Sequence, residues 1–254
     1  MIIIKRNFFT IRISEVYFLK DLPHIQVIKK DSVDILVFIQ SGFITKKSFN
    51  FNTLIIDLSR DLDSIWSKMK KNYRYEINRS KNKDGLEVVI IDKPTKKDVE
   101  LFSKFFDEFA NSRSIRTSNK RKLYLLQESG NLVIAYSGLK GSQKHPLTAH
   151  CYIHDSERVR LYHSCSNIEY KIKDRNLVAR SNKLLHWDAI VKFKSLGFSI
   201  YDFGGISKNN DLEGIDRFKL GFNGKEVKEY STLMPSSALG YIILFIYDLI
   251  KVFR

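Results

Sequence analysis

The chain is poor in cysteine, proline and glycine: 2 Cys, 4 Pro and 12 Gly in 254 residues. Two cysteines, Cys151 and Cys165, build no disulfide scaffold at this size, and neither stands at a metal-ligand spacing. A reducing cytoplasm is the expected compartment. Scarce proline and glycine favour long regular elements. No segment recurs at a fixed period and no tract is of low complexity, which excludes solenoids and linkers. Long apolar runs are also missing. The strongest, Ala238–Ile250, is too short to span a bilayer and contains Asp248. The opening Met1-Ile2-Ile3-Ile4-Lys5-Arg6 lacks the basic-then-apolar order of a signal peptide. Acidic residues are in deficit: 43 Lys and Arg face 28 Asp and Glu, a net charge of +15. Such a charge suits anionic partners, namely nucleic acid, the phosphates of a nucleotide or CoA, or an anionic membrane face. It also suits a merely lysine-rich surface. No recognition motif and no basic-aromatic interleaving is present, so DNA is not an expected partner.

What remains is ample core material, 43% hydrophobic and 13% aromatic residues. Residues 1–58 read as short strands at Ile2–Ile4, Thr10–Ile13, Ile25–Ile28, Val33–Ile39 and Thr53–Leu58. The period then changes. Leu62, Ile65, Trp66, Met69, Tyr73 and Ile77 recur at three and four, one face of a single helix capped by Asp61 or Ser59. Its other face carries Lys68, Lys70, Lys71, Arg74, Arg79 and Lys81. A strand follows at Leu86–Ile91. Thr95 with Asp98 caps a second helix, and a third begins near Ser118. Strands are expected at Leu132–Ser137, Leu147–Ile153 and Val159–Ser164, then a long helix over Leu177–Ser195 stopped by Gly197. A strand at Phe198–Phe203, a short helix at Ile215–Leu220, a strand at Glu226–Leu233 and a helix over Ser236–Phe253 complete the chain. Three hairpin-like strands followed by a helical crossover predict an α/β fold with a mixed sheet. Pro94 is the one candidate seam.

Two segments concentrate chemical interest. Tyr201-Asp202-Phe203-Gly204-Gly205 places paired glycines after an aromatic strand, where backbone can approach another group closely. Gly214-Ile215-Asp216-Arg217-Phe218-Lys219 then offers a lysine to that opening. With Tyr73-Arg74-Tyr75-Glu76-Ile77-Asn78-Arg79-Ser80, with Asn182 through Trp187 leading to the glycine pair, and with Gly221-Phe222-Asn223-Gly224, these segments resemble the FemABX-like acyltransferases of the GNAT superfamily. The resemblance covers residues 60–235. It is to the short members associated with surface-polysaccharide synthesis rather than to the peptidoglycan cross-bridge enzymes. The chain lacks a helical arm, has Asn223 in place of a glycine, and lacks the usual pyrophosphate loop; Arg180-Ser181-Asn182 stands there instead.

The resemblance implies a GNAT-like mixed sheet flanked by helices: a reduced N-terminal half over 1–94, a complete acyltransferase unit over 95–235 and an apolar helix over 236–254. It implies Lys219 as the cation that stabilises a tetrahedral intermediate's oxygen, with Phe218 walling the site. A lysine snorkelling from a short helix is the plainer alternative. Asp202 either accepts the acceptor's proton, orients a base or caps the glycine turn. Tyr201, Gly204, Gly205, His150, His163, Ser164 and His186 line the expected substrate site, with Arg74 and Arg79 as binders of substrate phosphates. Packing roles remain open for each. The three histidines have no carboxylate or cysteine at ligand spacing, so no metal is expected. Arg180, Ser181 and Asn182, near the start of the long helix, are the expected donor-binding residues.

The resulting expectation is a cytoplasmic acyl- or aminoacyltransferase without a bound cofactor, using acyl-CoA or aminoacyl-tRNA as donor. Its acceptor would be an amine of a nucleotide- or lipid-linked glycan or peptide. Peripheral contact of residues 238–254 with a membrane is one reading of the tail, and packing on protein is the other. A tRNA-dependent peptidoglycan bridge enzyme and a non-catalytic basic binding protein are the rival functions.

Overall fold

The computed structural model describes residues 1–20, 33–42, 44–141, 146–206 and 213–252. The expected strand Ile25–Ile28 lies outside them. The chain forms two compact units, one of Met1–Thr53 with Val227–Arg254, the other of Leu54–Glu226. It passes between them within β4 (Ser48–Asp57) and β10 (Lys225–Pro235). The segments on either side of Pro94 share the second unit.

In the first unit, β1 (Ile2–Phe8) and β2 (Ile11–Tyr17) form an antiparallel hairpin, Ile2 opposite Tyr17. Strand β3 (Ile35–Ser41) runs parallel to β2 and antiparallel to β10, which pairs on its other side. Val16, Leu36 and Phe38 are buried at the centre of this unit's core. Its last helix, labelled α8 below, spans Ala238–Val252.

The second unit opens with α1 (Leu62–Lys68) and α2 (Lys71–Asn82), not with one helix. Asp61 caps α1, accepting from the Ser64 N–H at 2.6 Å. The break falls at Met69, whose ψ of 151° is extended. There the Lys70 N–H leaves the helical ladder and donates to the Gly221 carbonyl at 3.0 Å. Periodicity could not show this break, because both helices bury one continuous face, Ile65, Met69, Tyr73 and Ile77. The next elements are β5 (Leu86–Ile91), α3 (Lys96–Ser112), α4 (Lys120–Glu128), β6 (Leu132–Leu139), β7 (Thr148–His154) and β8 (Arg158–Ser166). Thr95 and Asp98 form the expected reciprocal cap on α3. A short helix not anticipated, α5 (Ile168–Lys173), precedes α6 (Arg175–Ser195).

Strands β5 to β8 are sequentially antiparallel, and β9 (Ile200–Gly205) joins β8 in parallel after the α5–α6 crossover. Helix α7 (Glu213–Leu220) follows. The mixed α/β class is the observed one. Register separates two faces of this sheet. His150 lies opposite Ser164 and Cys151 opposite His163, so neighbouring residues of β7 point to opposite sides. The His150 face is covered by α6, whose Leu184, Leu185, Ala189, Ile190 and Phe193 are fully buried. The His163 face is covered by α3 through Phe102 and Phe106. Each fully buried Leu, Ile or Phe stabilises the fold by about 1.5–3 kcal/mol.

Candidate active site

Strand β9 ends in the paired glycines. Gly204 has a φ of 74°, and a Cβ there would stand 3.0 Å from the Leu161 carbonyl oxygen of β8. The positive φ favours glycine, and a side chain there would also crowd the β8 backbone. Asp202, for which the sequence leaves both proton transfer and turn capping open, holds this bend. Its Oδ1 receives the Gly204 N–H at 2.7 Å, and its Oδ2 receives Arg158 Nε at 2.9 Å and Nη2 at 2.7 Å. The carboxylate is fully buried and both oxygens are engaged, the arrangement of a turn cap. Arg158 was not singled out in the sequence; only the pairing of β8 with β9 brings it to Asp202.

Lys219 reaches this bend. It lies in the last turn of α7, and its Nζ donates to the Gly205 carbonyl at 2.5 Å. Burial pulls its pKa below the ordinary lysine value; Asp216 and Asp202 push it up and Arg160 lowers it. The ammonium is therefore partly desolvated and anchored by a neutral carbonyl. Asp216, one turn earlier, is buried, and its Oδ2 has no hydrogen-bond partner among the described residues. Within Gly214–Lys219 the sequence singles out Phe218 and Lys219, and Asp216 carries no local signal of its own.

Phe218 is half-buried. Its carbonyl accepts from the Tyr73 hydroxyl at 3.0 Å, and its ring packs on Tyr73, His186 and Phe222. Gly221 permits this approach, since a Cβ there would stand 2.3 Å from the Tyr73 ring. Burial, followed by the Glu76 charge, raises the Tyr73 pKa to about 12, so the phenol stays a donor.

Behind Phe218 runs a buried polar chain. His150 Nε2 faces Asn182 Oδ1 at 2.7 Å, and its Nδ1 faces the Tyr152 hydroxyl at 2.7 Å. Tyr152 meets the Tyr201 hydroxyl at 3.1 Å, and Tyr201 meets His186 Nδ1 at 2.7 Å. Direction follows from donor counting. An amide oxygen only accepts, so His150 carries its proton on Nε2. Its bare Nδ1 then accepts from Tyr152, Tyr152 accepts from Tyr201, and Tyr201 accepts from His186 Nδ1–H. The Nε2 of His186 is left as a lone-pair acceptor, its ring packed against Phe203, Phe218 and Phe222. Burial holds His150 down to about 3, opposed by the Asn182 bond. Burial, and after it electrostatic repulsion from His150 and Lys219 should the ring protonate, holds His186 well below the usual imidazole range. Both rings are neutral at pH 7.

His163, Arg79, Arg180, Ser181 and Asn182, also expected at the site, have partners within the protein. His163 packs on Phe106 and Phe102, on the sheet face away from His150, and burial lowers its pKa to about 4. Ser164 shares the His150 register. Arg180, Ser181 and Asn182 do not open the long helix, which begins at Arg175 after the Asp174 cap. Arg180 pairs with Asp84 at 2.5 Å, Ser181 with the Thr148 hydroxyl at 2.9 Å and Asn182 with His150. All three side chains are engaged inside the protein. Arg79 also bonds Asp84, at 3.3 Å. Arg74, half-buried on α2 beside Tyr73, keeps a buried Nε with no partner among the described residues.

No protein-family model and no curated protein matches this sequence. Solved structures do. FemX is similar with a TM-score of 0.63 at 9% identity, over 91% of this chain and 84% of that one. The C-terminal domain of a putative lysylphosphatidylglycerol synthetase from Agrobacterium fabrum gives 0.58 at 10% identity, over 95% and 83%. L-PGS from Bacillus licheniformis gives 0.56 at 10% identity, over 97% and 85%. At these identities the likeness shows a shared fold: the chain has the GNAT-like mixed α/β architecture that its motifs led us to expect.

Proposed function

We propose that the chain is an acyl- or aminoacyltransferase, with Leu54–Glu226 as its transferase unit and Lys219 at its centre. The observation that carries this reading is the Lys219 ammonium, partly desolvated and bonded to Gly205 O at the glycine bend. A fixed cation beside open backbone suits an oxygen that becomes negative. The likeness in fold to FemX, to the C-terminal domain of a putative lysylphosphatidylglycerol synthetase and to L-PGS supports transfer to a cell-envelope precursor.

In the proposed step an acceptor amine attacks the carbonyl carbon of a thioester or ester donor. The carbonyl electrons move to oxygen, which Lys219 Nζ stabilises after turning from Gly205 O. Asp216 is better placed than Asp202 to receive the amine proton, because one of its buried oxygens is unengaged among the described residues. As the intermediate collapses, the leaving sulfur or oxygen departs with its bonding pair and takes that proton. Amide and free thiol or hydroxyl result. Phe218, fixed through Tyr73, walls the reacting carbon. Arg74, with its unpartnered Nε, is the candidate contact for a phosphate on donor or acceptor. The proposed donor is an acyl-CoA or an aminoacyl-tRNA, and the acceptor an amine of a glycan or peptide precursor.

The test is transfer of labelled acyl or aminoacyl groups to amine acceptors, with and without ribonuclease, by wild type, Lys219→Met and Lys219→Arg. Lys219→Met should lower turnover by about 10²–10³-fold, with Lys219→Arg recovering part of it. Ribonuclease sensitivity assigns the tRNA donor. Undiminished turnover in Lys219→Met ends the assignment.

A further inference from the structure

Exposed apolar bulk is unevenly distributed. Among the described residues, twelve of the nineteen large apolar side chains left exposed belong to the first unit, which holds less than a third of the chain. They form two prominent groups. One is the tip of the β1–β2 hairpin, where Phe8 is 56% and Phe9 88% exposed, their rings edge-on at 5.0 Å. Phe9 has a φ of 52°, a conformation costly for a bulky residue, spent on projecting an aromatic ring into solvent. The other group is on α8. No charged residue occurs from Ala238 to Tyr247. The helix is seated through Gly240, where a Cβ would lie 1.9 Å from Asp34 O, and through buried Leu244. Tyr241, Ile242, Phe245 and Ile246 consequently face outward, the first 66% and the third 64% exposed.

One buried carboxylate brings the two groups together. Asp34 accepts the Arg12 N–H at 2.8 Å and both Arg12 guanidinium contacts at 3.1 Å, so it holds the strand that leaves the hairpin tip. It also accepts from Ser237 Oγ at 2.7 Å, and its carbonyl accepts the Ser236 N–H at 2.9 Å, so it holds the start of α8. Tip and helix start therefore belong to the same end of this unit. Its segments carry eleven Lys and Arg against six Asp and Glu, and Lys5 and Lys46 are exposed.

We propose that the first unit docks on an anionic lipid bilayer. The Phe8–Phe9 tip and the outer face of α8 enter the boundary between headgroups and acyl chains, and the flanking cations meet lipid phosphates. An apolar helix face beside a protruding aromatic tip, in a basic setting, is the chemistry of a segment that lies in the interface plane. Among the described residues no helix is long and apolar enough to cross a membrane, so the contact is a surface one. This inference does not rest on acyl transfer.

The test is co-sedimentation of the full chain with vesicles of equimolar phosphatidylcholine and phosphatidylglycerol, and with phosphatidylcholine alone. The chain should pellet with the anionic vesicles and bind the neutral ones more weakly. Phe8→Ser with Phe9→Ser, and separately Ile242→Gln with Phe245→Gln, should each weaken binding about tenfold or more. The unfolding midpoints should be near wild type, since the replaced side chains face solvent. A wild-type chain that stays in the supernatant with both vesicles overturns the proposal. So does a wild-type dimer that the α8 variant splits, without vesicle binding; the face would then belong to a second copy.

Discussion

Acidification from pH 7 to pH 5 should destabilise the second unit through three histidines that its fold keeps neutral. His150, His163 and His186 are all held below the ordinary imidazole value, chiefly by burial, the first to about 3 and the second to about 4. In the unfolded chain each titrates near 6.5. Below that pH the unfolded state binds protons that the native state does not, so stability falls as pH falls, down to the folded pKa values. Between pH 6 and pH 5 each histidine contributes a loss of about 1 kcal/mol, so His150, His163 and His186 together contribute a few kcal/mol. That is a large share of a typical stability of about 5–15 kcal/mol. The chain's two tryptophans, Trp66 and Trp187, pack at 4.6 Å within this unit, so their fluorescence reports it. Urea titrations read by tryptophan emission at closely spaced pH values supply the slope. His163→Phe or His186→Phe should each remove about a third of it. Stability that stays level between pH 7 and pH 5, or a slope that neither substitution changes, would refute the reasoning.

Other consequences are equally open to measurement. Arg158→Leu strands a fully buried carboxylate at Asp202 and should cost about 3–5 kcal/mol in urea unfolding. Adding Asp202→Leu should return part of that loss, but not the part due to the Gly204 N–H; no recovery would contradict the ion-pair account. Long-range proton–nitrogen spectra should show His186 protonated at Nδ1 and bare at Nε2, and Tyr201→Phe should release that preference. A proton on His186 Nε2 in the wild-type chain would reverse the direction assigned to the polar chain.

Local chemistry made much of this architecture readable. The Thr95–Asp98 cap, the alternation of β6 to β8 and the long apolar helix before the glycine pair are decided by neighbours in the chain, which a linear reading contains. Lys219 and the glycine bend were legible for a related reason: a glycine pair and a Phe-Lys dipeptide are compact signals. The break at Met69 was not, because α1 and α2 bury one face and only the Gly221 carbonyl draws the Lys70 N–H away. Arg180, Ser181 and Asn182 stand deeper in the long helix than a start at Leu177 implied, because the Asp174 cap opens it at Arg175. Their side chains prove to be committed to Asp84, Thr148 and His150.

The amino-acid order by itself determined the element types, the basic surface, the paired glycines and the lysine downstream of them, since each depends on residues a few positions apart. Tertiary structure alone decided which charged and polar groups are spent. Asp202 meets Arg158, forty-four positions earlier, and together they clamp the glycine bend. Asp216 keeps an unpartnered buried oxygen, and His150 and His163, thirteen residues apart, fall on opposite faces of one sheet. A hydrogen bond or ion pair is a property of distance in space, and strand register, not sequence separation, sets that distance.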